Sequence, residues 1–66
     1  MTYRLVDLRG HSYYGYRLEF HDVRNLKRSV EYLNTHKIPH SCIGNTIWMM
    51  KKDYTWFALA YENSLE

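Results

Sequence analysis

Tyr14, Tyr16, Leu18 and Phe20 alternate with Gly15, Arg17, Glu19 and His21, setting an apolar face against a polar one over residues 13–21. Successive side chains on a strand point to opposite faces, so this period of two predicts a half-buried strand. Residues 2–8 form an earlier strand candidate, with Tyr3 and Leu5 on one face and Val6 and Leu8 on the other. Between the two, Arg9-Gly10-His11-Ser12 reads as a loop whose glycine tolerates positive φ. After Asp22 the period changes. Val23, Leu26, Val30 and Leu33 recur at helical spacing, and Arg24, Lys27, Arg28 and Glu31 occupy the opposite side. Asp22 suits the N-cap of that helix, because its carboxylate accepts from free N–H groups of the first turn. Asn34-Thr35-His36-Lys37 ends the helix with cationic side chains near its negative end, and Pro39 forbids continuation. Ile38 is expected to reach back to the core.

The remaining apolar positions predict two further strands. One runs from about Ser41 to Lys51, bent or bulged at Gly44; Gly44-Asn45 also fits a two-residue hairpin turn. A turn at Lys51-Lys52-Asp53 then leads to Tyr54–Tyr61, where Trp56 and Ala58 alternate with Phe57, Leu59 and Tyr61. The reading is a single small α+β domain over residues 1–64, arranged ββαββ. Its four-stranded, mainly antiparallel sheet has the order 2-1-3-4, with one helix packed on one face. A right-handed crossover through the helix makes the second and third strands parallel in direction, and the first fits between them. Met1 opens directly into a strand pattern, which suggests a complete small gene product. Leu65-Glu66 resembles a cloning scar.

One helix covers one sheet face, yet Ile47 and Met49 alternate with Trp48 and Met50, so both faces carry apolar residues. An aromatic edge strand without charge or proline invites pairing as well. These patterns predict a small non-enzymatic protein-binding module that docks an aromatic and methionine sheet face or an edge strand, or pairs with a second copy. The residues expected at the partner surface are Trp48, Met50, Tyr54, Trp56 and Tyr61. An inhibitor, antitoxin or accessory factor, of the kind phages encode, would act by occluding a surface its target needs.

Composition changes this picture little. Sixty-six residues allow one domain, and 45% hydrophobic with 17% aromatic content offsets the poor burial of so short a chain. The single cysteine, Cys42, excludes an internal disulfide, and with no apolar run of membrane-spanning length a cytoplasmic protein is expected. The net charge of +2 is too mild to imply nucleic acid on its own. Single-stranded RNA or DNA is nevertheless the alternative partner, with bases stacking on sheet aromatics. Tyr13, Arg17, Lys51 and Lys52 are its expected contacts.

Catalytic chemistry finds no support. The glycines are isolated, so no phosphate-binding loop exists, and no carboxylate pair sits on a recognisable scaffold. His36, His40 and Cys42 lie close in sequence, but Pro39 interrupts metal-ligand spacing. No enzyme, no metal and no cofactor are expected.

Overall fold

The computed structural model describes the backbone of residues 3–64 and the side chains of residues 3–60. The elements run β1 (Tyr3–Asp7), β2 (Tyr16–Phe20), α1 (Val23–Thr35), β3 (His40–Ile43), β4 (Thr46–Met49) and α2 (Lys51–Ser64). All strands join one sheet in the order β1-β2-β4-β3, and every neighbouring pair is antiparallel. The chain is therefore an α+β domain with an antiparallel four-stranded sheet. Its described residues form two helices, and its strand order is not 2-1-3-4.

Two corrections explain the difference. Gly44-Asn45 is a hairpin turn and not a bulge: Ile43 pairs with Thr46, and Gly44 takes a φ of 59°. Glycine adopts this left-handed region without the Cβ clash other residues suffer. Asn45 then clasps the end of β2, its carbonyl accepting from Phe20 N–H at 2.9 Å and its side-chain amide donating to Phe20 O at 3.1 Å. The second correction concerns Tyr54–Tyr61, which lies within α2 and is not a strand. Lys51-Lys52-Asp53 is the first turn of that helix, and Met50 O accepts from the N–H groups of Asp53 and Tyr54.

The β1–β2 connection is tight at its root. Leu8 N–H donates to Gly15 O at 3.0 Å, and Arg9 and Gly10 both take positive φ. The Asp7 carboxylate secures the strained step by accepting from Arg9 N–H at 2.9 Å.

α1 is capped as expected. Asp22 Oδ1 accepts from Asn25 N–H at 2.8 Å. That bond, and then the one from the Asn25 side-chain amide, holds the Asp22 carboxyl below its ordinary value of 3.8. A lowered folded-state pKa contributes stability that is complete above the ordinary value and is lost as pH falls through the lowered one. Asp22→Ala should therefore lower the thermal midpoint near neutral pH by a few degrees. The gap from wild type should close in acid, as thermal melts across pH will read. At the other end Ile38 N–H reaches Leu33 O at 2.9 Å across Lys37, whose φ is 55°. This is a Schellman closure with lysine in the usual glycine position. It turns Ile38 back to pack against the core.

Both helices lie on one face of the sheet. The buried cluster joins Tyr3, Leu18, Phe20, Ile47 and Met49 from the strands to Leu33 of α1 and Phe57 of α2. Two helices at the usual axial separation of about 8–10 Å span roughly the width of four strands about 4.8 Å apart. The stripe predicted for α1 is kept except at Val23, which is exposed. Ser29 of α1 is fully buried, and its hydroxyl has no hydrogen-bond partner among the described residues. Ser29→Ala removes that desolvated hydroxyl and adds helix propensity, so it should raise stability by about 1–2 kcal/mol. Denaturant titration will read this as a higher midpoint with an unchanged slope.

Candidate functional site

The strand register places Arg4, Val6, Arg17, Glu19, Ser41, Ile43, Thr46 and Trp48 on the face away from the helices. None of them is buried, and no element among the described residues covers them. At the centre of this open face the Arg17 guanidinium lies 5.5 Å from the Trp48 ring centroid. Arg17 is also paired with Glu19 at 2.7 Å, and the Trp48 indole N–H donates to Thr46 Oγ1 at 3.0 Å. The open face satisfies part of its own polarity: Glu19 neutralises the cation and the indole is half-covered, while the buried Arg17 Nε has no hydrogen-bond partner among the described residues.

The outer side of α2 differs. Trp56 is 69% exposed and Leu59 is 53% exposed, one helical turn apart. Lys52 stands one turn before them on the same side, so an exposed apolar pair follows a cation there. The inner side of the same helix is used fully. Phe57 is buried with its ring 6.2 Å from Tyr3 and 6.1 Å from Tyr32, and the Tyr54 hydroxyl bonds the Tyr3 hydroxyl at 3.0 Å. Among its described side chains α2 therefore carries apolar groups on two sides, and one of the two packs within the domain.

A groove of about 450 Å³ opens beside this stripe, lined by Tyr16, Lys51, Tyr54, Thr55, Ala58 and Leu59. Gly15, just before β2, lies close against the first residue of α2: a Cβ there would stand 2.5 Å from Lys51 Cγ and 3.2 Å from Lys51 N. The Lys51 ammonium stands 5.5 Å from the Tyr16 ring centroid and 3.7 Å from Asp7 Oδ1. Compared with family models, with curated proteins and with solved structures, the chain matches none.

The residues expected at one partner surface are distributed over the whole domain. Trp48 is on the open sheet face and Trp56 is on the outer side of α2; neither belongs to the core. Tyr54 packs against the core and lines the groove. Met50 is half-buried at the start of α2 and shares no strand with Trp48. The side chain of Tyr61 lies outside the described residues, as do both residues of the suspected scar.

The expected nucleic-acid contacts also diverge. Arg17 faces away from the helices, Lys51 projects over Tyr16 on the helix side, Lys52 is exposed on α2, and Tyr13 is 78% exposed in the β1–β2 loop. His40 Nδ1 is bonded to Ile38 O at 2.8 Å and Cys42 is exposed. Among the described residues no three His, Cys, Asp or Glu side chains gather as a metal site would require, and no helix is long and apolar enough to cross a membrane. Leu59 was missed because its importance depends on helical spacing, which a strand reading conceals.

Proposed function

We propose that this protein is a non-enzymatic protein-binding module that docks the outer side of α2 on a larger partner, as an inhibitor, antitoxin or accessory factor does. The exposure of Trp56 and Leu59 one turn apart carries the reading. A helix in a small domain normally turns one apolar stripe inward and leaves the other side polar, whereas this one keeps an indole and an isobutyl group in water. Tryptophan is among the residues that most often dominate interface energetics. Lys51 and Lys52, offset in part by Asp53, leave net positive charge in the first turn, where the helix dipole is already positive, so an acidic rim on the partner is complementary. The sheet face is a weaker candidate because its indole and guanidinium already engage each other.

The mechanism is occlusion: the stripe fills an apolar groove on the target and denies it to another ligand. Pairing of two copies through the same stripe is the homotypic form, and light scattering at micromolar concentration distinguishes it from a hetero-complex. Single-stranded nucleic acid on the open sheet face is the second reading, favoured by Trp48 beneath Arg17. It requires Arg17 to leave Glu19, and binding that weakens steeply with salt. Capture from a nuclease-treated lysate by wild type, Trp56→Ala and Trp48→Ala tests the choice. Loss of a stoichiometric protein partner with Trp56→Ala alone supports docking through α2.

A further inference from the structure

We infer that the groove between α2 and β2 holds an aromatic side chain of the partner while Lys51 receives the carboxylate of the Asp or Glu next to it. This rests on the reading of α2 as the docking surface and names the chemistry that would seat there. The groove volume of about 450 Å³ exceeds what one aromatic side chain fills and lies within the usual range for ligand sites. Its lining is suited to a ring. Tyr16 and Tyr54 stand edge to face with centroids 5.1 Å apart, and Ala58 and Leu59 contribute methyl groups. A third ring beside such a pair gains the offset or edge contacts aromatic groups favour.

Lys51 supplies the charge selectivity. Its stem is held against Gly15, and its ammonium stands beside the Tyr16 ring at the groove wall. The pairing with Asp7 at 3.7 Å is too long for a hydrogen bond, and Asp7 already accepts from Arg9 N–H at 2.9 Å. A partner carboxylate must compete with Asp7, but it can approach the ammonium to a bonding distance that Asp7 does not reach. Thr55 offers a hydroxyl on the same wall, which donates to Lys51 O at a long 3.4 Å. Aromatic next to acidic is therefore favoured over aromatic next to neutral.

The test is an amide NMR titration of the full chain with two capped dipeptides, acetyl-Phe-Glu-amide and acetyl-Phe-Gln-amide. The acidic peptide should shift the Lys51, Thr55 and Ala58 amides saturably at millimolar concentration. The neutral one should bind roughly 2- to 5-fold more weakly, the factor of a partly exposed ion pair. Lys51→Met, which keeps the stem, should bring the two peptides to equal affinity. Ala58→Leu should fill the groove and abolish both, with the remaining amide spectrum reporting that the fold persists. Arg28→Ala, on the exposed side of α1 and outside the groove, should leave the titration unchanged. Absence of saturable shifts, shifts confined to the sheet face, or equal affinity of both peptides for wild type would each overturn the groove assignment. Partner capture that is lost with Trp56→Ala would still stand in those cases, so the parent reading fails or survives separately.

Discussion

Phe57→Ala is expected to unfold most of the domain. Phe57 is fully buried and, among the described side chains of α2, is the one in the fully closed core, where it meets rings from β1 and α1 as well as Tyr54 of its own helix. Removing a buried phenylalanine costs about 3–5 kcal/mol, through lost transfer energy and the cavity left behind. A domain of this size has a total stability of roughly 3–10 kcal/mol at the usual per-residue value. The substitution therefore removes much or all of it. Far-ultraviolet circular dichroism should show lost helical signal and a broad, low-temperature melt. A variant that melts at the wild-type temperature would mean that α2 does not close the core.

Trp56→Ala is expected to do the opposite: the fold persists and the partner is lost. With 69% of its surface in water, Trp56 contributes little to the domain's own packing. Alanine is also the stronger helix former, so the thermal midpoint should hold or rise slightly. Binding should weaken by about 2 kcal/mol or more, near 30-fold, as for a tryptophan at the centre of an interface. Leu59→Ala should weaken binding less, since the smaller side chain buries less area.

The first half of the fold was legible because its signals were local and agreed with one another. Alternation over Tyr16–Phe20, the Asp22 cap and the Leu26–Val30–Leu33 stripe each imply one structure, and β2 and α1 form there. The second half failed at one segment. Tyr54–Tyr61 is rich in aromatic residues of high β-propensity, and its apolar residues satisfy a period of two as readily as a helical one. Tyr54 and Phe57 mark an inner helical side, but Trp56 and Leu59 fill the outer side and erase the contrast that periodicity needs. The surplus that hid the helix is thus the same surplus proposed to bind a partner. Misreading α2 as a strand also displaced the strand order, because Thr46–Met49 then had to be the third strand when it is the fourth, paired with β2.

The candidate site was legible in kind and not in place. An apolar excess beyond what the domain can bury follows from composition and pattern alone. Its position required knowing that α2 layers beside α1 on one sheet face. That outcome depends on Phe57 and Tyr54 meeting Tyr3 and Tyr16, contacts between opposite ends of the chain. Trp48 shows the limit well. Its strand position is readable, yet its partial cover by Arg17 arises from the β2–β4 register, which pairs the two residues directly.

The central claim is that the outer side of α2, and not the open sheet face, receives a protein partner. Parallel capture from nuclease-treated lysate of the native host cell, by wild type, Trp56→Ala and Trp48→Ala of verified fold, tests it most directly. The account predicts one stoichiometric protein retained by wild type and Trp48→Ala and absent from Trp56→Ala. Retention by Trp56→Ala with loss from Trp48→Ala would contradict it and move the interface to the sheet.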